Sequence, residues 1–235
     1  MDRLIYVEND YDGRYGKFWG ELGDVISDRD LYLHRPQDFS LVCFTGGEDV
    51  SPELYDHKNL GSHNSPRRDE EEQNVYDVAA KWKTPMTGIC RGSQFLNVMC
   101  GGTMVQNLKA SHGGSPHQCH TSDSETVEDT FEVTSSHHQM SVLGEGGEYL
   151  AWSQEAIAIK DCVYDGNLSQ QNCLWVQPPV PIEELRVTEA FAYPDVNIFA
   201  VQHHPEWQDI NSEAAQWTLN MIRTHCFEES TEATS

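Results

Sequence analysis

The stretch TGICRGSQFLNV, residues 87–98, limits the fold of this chain more than any other feature. A short apolar run leads into a turn in which Cys90 stands between two glycines, Gly88 and Gly92. From residue 93 to 102, apolar residues then recur at helical spacing and end at a glycine pair. The pattern predicts a strand, a sharp glycine-flanked turn and a helix.

The same alternation of strand and helix patterns extends along the chain. Strands are predicted for 3–7, 31–34, 39–47 and 84–90, with further strand runs within 131–140 and 191–207, and helices for 17–27, 67–82, 93–102 and 212–223. This alternation favours an α/β fold with a mostly parallel central sheet and helices on both faces. Ligands of such folds bind at the carboxyl ends of the strands, where both Gly46-Gly47 and Cys90 are expected.

Composition excludes several classes of protein. The formal net charge of −23 disfavours direct binding of nucleic acid, because an acidic surface repels phosphate. No apolar run approaches the ~18 residues of a membrane span, and MDRLIYVEND at the N-terminus predicts a strand rather than a signal peptide. Seven scattered cysteines are not a disulfide framework, so we expect the reducing cytoplasm. The length suits one domain, predicted over 1–226 with a polar tail at 227–235.

The environment predicted for Cys90 is that of a nucleophile. The string Gly88-Ile89-Cys90-Arg91-Gly92 has the spacing of a nucleophile elbow, of which G-x-S-x-G is another version. The following helix would point its N-terminal amides at the thiol and favour the thiolate. A free cysteine has a pKa of about 8.5, so a nearby histidine would be needed to raise the thiolate fraction. We interpret Cys43 and Cys100, in contrast, as buried structural cysteines.

The string VQHHPEW, residues 201–207, is the strongest candidate for the base. Two histidines follow a predicted strand, and alternation lets only one of them face the site. A carboxylate at Glu206 could return to the ring of His204 and orient it, as an aspartate does in a Ser-His-Asp triad. The pattern therefore predicts Cys90, His204 and Glu206 as one catalytic group.

These motifs carry a resemblance to a known family. GICRGSQFLNVMCGGTMVQNL and VQHHPEW resemble the class I glutamine amidotransferase-like superfamily, a flavodoxin-like three-layer sandwich. TGGEDVSPELY at 45–55 and SSHHQ at 135–139 are similar to its γ-glutamyl hydrolase branch, which includes γ-glutamyl-γ-aminobutyrate hydrolase. The motifs occur in the family's order and cover about 39–108 and 187–223.

The resemblance implies a role for each site residue. Cys90 would be the nucleophile, His204 the base and acid, and Glu206 the carboxylate that orients it. Backbone N–H groups of Gly46, Gly47 and Arg91 would form the oxyanion hole. Gln94, Ser136 and His137 would line a γ-glutamyl pocket. The implied reaction passes through a γ-glutamyl thioester and requires no cofactor or metal.

The sequence also departs from the family pattern. His203 stands where an aromatic residue is common, and His138 where a small residue is common, so we expect both to add imidazole near the pocket. The segment 153–186 looks longer than the family's connection there and could be a lid, a partner surface or a bland insertion.

A second group of residues could ligate zinc. SHGGSPHQCH contains His112, His117, Cys119 and His120 at short spacing. The spacing is not that of a zinc finger, and we favour a polar loop near the mouth of the site.

Three functions follow from these patterns. The first is a free-standing hydrolase of a small-molecule γ-glutamyl amide, either a γ-glutamyl amine or glutamine. The second is the glutaminase subunit of an amidotransferase, which would deliver ammonia to a separate synthase. The third is a catalytically silent binding protein on the same fold. A homodimer is compatible with each, and neither nucleic acid nor a membrane is an expected partner.

Overall fold

A computed structural model describes residues 3–59, 61–106, 116–122, 130–153 and 187–227. Its centre is a nine-stranded sheet. The strands of this sheet are β1 (Leu4–Glu8), β2 (Asp24–Ile26), β3 (Leu41–Phe44), β4 (Met86–Ile89), β6 (His117–Thr121), β7 (Thr130–Val133), β9 (Glu148–Ser153), β10 (Thr188–Tyr193) and β11 (Ile198–Val201). A separate pair consists of β5 (Thr103–Val105) and β8 (Met140–Val142), which run antiparallel.

The strand order is β2-β1-β3-β4-β11-β10-β9-β6-β7. The α/β class is confirmed. The sheet was expected to be mostly parallel, and only one half of it is. The pairings from β2 to β11 are parallel, whereas those from β11 to β7 are antiparallel. The physical reason is visible at β10 and β11, which a short 3₁₀ turn, Pro194–Val196, connects directly. Parallel neighbours would need a longer crossover.

Helices cover both faces of the sheet, as expected. They are α1 (Arg14–Trp19), α2 (Arg29–His34), α3 (Pro66–Trp82), α4 (Arg91–Met99) and α5 (Glu213–Ile222). Phe18 of α1 and Leu219 of α5 belong to the core on one face. Val75 of α3 and Phe95 of α4 belong to the core on the other face. Each face therefore buries its own apolar layer, the arrangement of a three-layer sandwich.

Two local predictions are wrong. The helix predicted over 17–27 ends at Trp19, and β2 occupies the second half of that stretch, where it pairs with β1. Two glycines, Gly20 and Gly23, separate the two elements, and such residues weaken a helix. The strand predicted over 31–34 belongs to α2, since the side chain of Asp28 accepts the N–H of Leu31 and caps a helix there.

The parallel half of the sheet positions the candidate site. Strand β4 lies between β3 and β11, with Phe44 opposite Gly88 and Val201 opposite Ile89. The segments that leave these three strands therefore emerge side by side at one edge. No helix of the described residues is long and apolar enough to cross a membrane.

Candidate functional site

Cys90 occupies the sharp turn between β4 and α4. Its backbone has φ 53° and ψ −110°, and its N–H donates to the carbonyl oxygen of Val201 at 2.9 Å. The turn requires small neighbours, because a Cβ on Gly92 would lie 2.2 Å from the carbonyl oxygen of Phe44. The predicted elbow is thus present, and it places the thiol at the N-terminus of α4.

His204 bridges Cys90 and Glu206. Its Nδ1 lies 2.7 Å from Oε1 of Glu206, and the side chain of Cys90 is near enough to raise the pKa of the imidazole. The backbone carbonyl of His204 accepts a hydrogen bond from the hydroxyl of Thr134 at 2.9 Å. Ser136 Oγ stands 3.5 Å from Nε2 of the same ring. The structure therefore brings together the three side chains that the sequence predicts as one group.

The charges around His204 favour its imidazolium form. Burial alone would lower the pKa of this histidine, but Cys90 and Glu206 together raise it from 6.5 to about 10. An imidazolium held between two groups that can carry negative charge is the form that donates protons.

His203 points away from the site, which corrects the expectation that it adds imidazole to the pocket. Its ring is fully buried, with Nε2 3.2 Å from the hydroxyl of Thr218 on α5. Burial lowers the pKa of His203 to about 4, although nearby Glu189 acts in the opposite direction. Both adjacent histidines are buried, but alternation along the backbone gives them different hydrogen-bond partners, which favour a neutral His203 and a protonated His204.

The loop that contains Gly46 and Gly47 lies against the elbow. Arg68 of α3 holds this loop, since Nη2 donates to the carbonyl oxygens of Thr45 at 3.1 Å and Gly46 at 3.0 Å. Gly47 lines the same cavity as Cys90. Sequence reasoning missed Arg68, whose spacing from Glu72 on a predicted helix was the available signal.

Arg91 contributes two separate features. Its backbone begins α4 directly after Cys90, at the position predicted to supply an oxyanion donor. Its side chain turns away from the site and pairs with Asp69 and Glu72 of α3 in the protein interior. Because Glu72 also accepts from Nε of Arg68 at 2.7 Å, buried ion pairs connect the elbow to the Gly46 loop.

Tyr15 is a further side chain of the site that sequence reasoning missed. A Cβ on Gly46 would lie 2.5 Å from the phenol oxygen of Tyr15, 3.3 Å from Cε1 of His204 and 3.5 Å from Cβ of Cys90. The phenol oxygen of Tyr15 therefore lies directly beside the backbone of Gly46. Burial and the charges of Glu206 and Cys90 raise the pKa of Tyr15, so the phenol stays protonated.

A cavity of about 160 Å³ opens beside Cys90. All three residues predicted to bind substrate line it, namely Gln94, Ser136 and His137. The amide nitrogen of Gln94 donates to Gln202 at 3.0 Å, and Nδ1 of His137 donates to the carbonyl oxygen of Gln139 at 2.7 Å.

The rim of this cavity is charged. His138 lines it, as expected, and its Nε2 lies 3.0 Å from Oδ1 of Asp49. That hydrogen bond raises the pKa of His138. Glu48 also lines the cavity, and its Oε2 lies 2.8 Å from Nη1 of Arg68.

Comparison with known proteins assigns the chain to a family. A sequence profile of the Peptidase C26 family matches residues 28–206, which is most of the chain. The chain belongs to the Peptidase C26 family. It is 36% identical over 124 residues to the glutamine amidotransferase-like protein YvdE homolog of Lactococcus lactis subsp. cremoris, a match that covers 45% of this chain and 65% of that protein.

Other relatives extend the comparison. The chain is 34% identical over 122 residues to the glutamine amidotransferase Rv2859c of Mycobacterium tuberculosis, covering 45% of this chain and 40% of that protein. It is 32% identical over 187 residues to protein NtpR of Enterococcus hirae, covering 70% of this chain and 66% of that protein. The matches thus span from under half to about two thirds of these relatives.

Solved structures show the same fold at low identity. A glutamine amidotransferase from Thermotoga maritima matches with a TM-score of 0.57 and 13% identity, over 95% of this chain and 83% of that one. The glutaminase domain of Trypanosoma brucei CTPS with bound acivicin also matches with a TM-score of 0.57, at 11% identity over 97% and 95%. The C26 chain therefore has the fold of class I glutamine amidotransferase domains.

The candidate zinc residues do not form a metal centre in the described part of this C26 chain. No three His, Cys, Asp or Glu side chains are grouped there as metal ligands. His117, Cys119 and His120 lie on β6 rather than in a loop, and alternation sends His120 to the opposite face. Nε2 of His117 lies 2.8 Å from Oε1 of buried Glu189. His112 and most of the segment 153–186 lie outside the described residues.

Proposed function

We propose that this chain is a cysteine hydrolase of γ-glutamyl amides. The observation that carries the proposal is the position of one imidazole, His204, which hydrogen-bonds Glu206 and lies beside Cys90 at the Gly46 loop. Family membership supports hydrolase chemistry, and the cavity beside Cys90 gives a small substrate a place to bind. The nature of the γ-glutamyl substrate belongs to the proposal.

The reaction begins with attack of the Cys90 thiolate on the γ-carbonyl carbon. The C=O π electrons move to oxygen, and the backbone N–H groups of Gly46, Gly47 and Arg91 stabilise this oxyanion. His204 donates its Nε2 proton to the departing nitrogen, so the C–N bond breaks and an amine or ammonia leaves. The γ-glutamyl group remains on sulfur as a thioester.

Water completes the cycle. His204, now neutral, removes a proton from a water molecule that attacks the thioester carbon. The imidazolium is thereby restored. Collapse of the second oxyanion breaks the C–S bond, restores the Cys90 thiolate and releases the γ-carboxylic acid, which loses its proton to solvent as glutamate. Glu206 keeps the imidazole oriented throughout and stabilises its positive charge.

Polar side chains around the cavity also support binding of the γ-glutamyl moiety. Gln94, Ser136 and His137 present amide, hydroxyl and imidazole groups to a cavity of about 160 Å³. Polar groups of this kind suit an α-amino acid head group, which carries both an ammonium and a carboxylate.

The test is glutamate release by the purified chain from four compounds: glutamine, γ-glutamyl-γ-aminobutyrate, γ-glutamyl-putrescine and a γ-linked diglutamate. Rapid release from one of them, abolished in Cys90→Ala, would establish the hydrolase and its substrate class. Equal release by wild type and Cys90→Ala would overturn the mechanism.

A second candidate is the glutaminase subunit of an amidotransferase. The names of the Lactococcus and Mycobacterium relatives favour it. No glutamate release from any of the four compounds, together with ready alkylation of Cys90, would support this candidate. Glutaminase activity that appears when a co-purifying synthase is added would establish it. An unreactive Cys90 would favour the third function, a silent binding protein.

A further inference from the structure

Trp207 lies flat against the imidazole of His204. The two ring centroids are 3.7 Å apart, and the ring planes differ by only 2°. His204 is 3% exposed, whereas Trp207 keeps 46% of its surface accessible. The indole therefore separates one face of the imidazole from solvent.

The backbone explains why the two rings meet. Pro205–Trp207 form a 3₁₀ turn that follows His204 directly, and the N–H of Trp207 donates to the carbonyl oxygen of His204 at 3.2 Å. In a 3₁₀ helix, side chains three residues apart eclipse one another. Pro205 fixes the backbone at the start of the turn. Residue 207 is consequently the position from which a side chain can cover His204.

We propose that Trp207 is a positioning residue for His204, whose indole holds the imidazole plane in line with Glu206 and Cys90 and stabilises the imidazolium. This inference rests on the roles proposed above for Cys90 and His204. Trp207 covers the flat face of the imidazole, whereas the ring nitrogens form their hydrogen bonds in the ring plane. The indole therefore contacts the base without competing for a hydrogen bond.

Two physical effects support this role. An aromatic face attracts a cation placed over it, and the attraction grows when the pair is shielded from water. A ring packed flat on a second ring also loses the rotation that would break the 2.7 Å contact between Nδ1 and Glu206. Both effects favour the protonated, correctly oriented imidazole.

Other groups near His204 contribute to its charge and must be considered in any pH measurement. The titratable side chains near the imidazole are Cys90 from the elbow, Glu206 from its own turn, Tyr15 from α1 and the adjacent His203. The charged side chains that line a cavity together with Glu206 are Arg14, Lys17, Glu21 and Asp209. Substitution of Trp207 leaves all of them in place. A change in pH dependence would therefore report the loss of the indole.

The experiment compares Trp207→Ala and Trp207→Phe with Trp82→Ala as the matched control. Trp82 ends α3 and is also half-exposed, at 50%. The rate of Cys90 alkylation by iodoacetamide is measured from pH 5 to 10, with the modified peptide quantified by mass spectrometry. Thermal unfolding of each variant confirms that it is folded.

We expect Trp207→Ala to alkylate about tenfold more slowly than wild type at pH 6, with its profile displaced to higher pH. Trp207→Phe should stay within about twofold of wild type, because it restores an aromatic face. Trp82→Ala should match wild type. In steady-state assays with a substrate that the wild type hydrolyses, Trp207→Ala should lower kcat and leave KM unchanged.

Two results would overturn the inference. One is a folded Trp207→Ala variant whose alkylation profile superimposes on that of wild type. The other is a Trp207→Phe variant as impaired as Trp207→Ala, since the aromatic face would then be irrelevant. Failure of the proposed function looks different: wild-type Cys90 itself would react at pH 6 no faster than the other cysteines.

Discussion

The guanidinium of Arg68 holds the carbonyl oxygen of Gly46 at a distance of 3.0 Å. This bond crosses from α3 to the loop after β3 and fixes the peptide groups that face Cys90. The same guanidinium donates to Glu72 at 2.7 Å and Glu48 at 2.8 Å, so with Thr45 and Gly46 its planar fork binds four partners at once. Arg68 thus sets the position of the loop proposed to stabilise the oxyanion.

Replacement of Arg68 by lysine should therefore reduce turnover more than it reduces stability. A lysine keeps the charge but cannot bond four partners in one plane, so we expect kcat to fall by about 10²-fold, the scale of a lost oxyanion donor. Arg67→Lys is the matched control, because the Arg67 side chain is next in sequence and 89% exposed. Steady-state kinetics and thermal unfolding are the measurements, and wild-type kcat in Arg68→Lys would contradict the prediction.

Gly46 and Tyr15 should show strong coupling in a double-mutant cycle. Gly46→Ala would place its methyl group 2.5 Å from the phenol oxygen of Tyr15, so the loop or the ring must move. We expect turnover to fall about 100-fold, because a shift of the loop misaligns the oxyanion donors.

Adding Tyr15→Phe to Gly46→Ala should recover part of that turnover. Phenylalanine lacks the clashing oxygen, while the other neighbours of the new methyl lie 3.3 Å or more away. The measurement is kcat for wild type, both single variants and the double variant. Strictly additive losses would show that the clash is not the cause.

Cys90 should carry backbone strain that glycine relieves. Its φ of 53° lies in the left-handed region, where a residue with a side chain is strained by about 1–3 kcal/mol. Both Cys90→Ala and Cys90→Gly should lose turnover and keep the fold. Cys90→Gly should nevertheless unfold with a free energy about 1 kcal/mol higher than Cys90→Ala, after the entropic cost of glycine. Urea denaturation measures this difference, and a more stable alanine variant would argue against strain.

The protonation of His204 should make stability depend on pH. Its pKa is raised in the folded state to about 10, against 6.5 as the ordinary value. The interactions of the imidazolium are therefore fully present below about pH 6.5 and are lost as the pH rises through about 10. The wild type should therefore lose its advantage in free energy of unfolding over His204→Gln as the pH rises from about 6.5 to about 10. A difference that stays constant from pH 6 to pH 10 would show that His204 is not held as an imidazolium.

Much of the fold followed from short-range patterns in the chain. The strand, elbow and helix around Cys90 were predictable because apolar spacing and two glycines act locally. The same holds for α3, which begins where Ser65 caps it and Pro66 occupies the first turn. The predictions failed at 17–27 and 31–34, where short apolar runs suit either a helix or a strand and local glycines or a cap decide.

The antiparallel half of the sheet was not predictable in the same way. Two of its pairings, β6 with β9 and β9 with β10, join strands that are distant in sequence, and side-chain alternation alone does not reveal the partner strand. The different hydrogen-bond partners of His203 and His204 show the same limit. Alternation predicted that one would face Cys90, but only packing against α5 placed His203 beside Thr218.

The sequence by itself was enough to select the residues of the candidate site, because Cys90, His204 and Glu206 occur in two short motifs with characteristic spacing. Tertiary structure alone decided what surrounds them. Arg68 and Tyr15 reach the Gly46 loop from two different helices, and such contacts depend on how layers pack rather than on nearby residues. The spacing of residues along the chain determines whether a segment forms a strand, a turn or a helix. Burial, ion pairs and contacts between distant side chains arise only when the helices pack on the sheet.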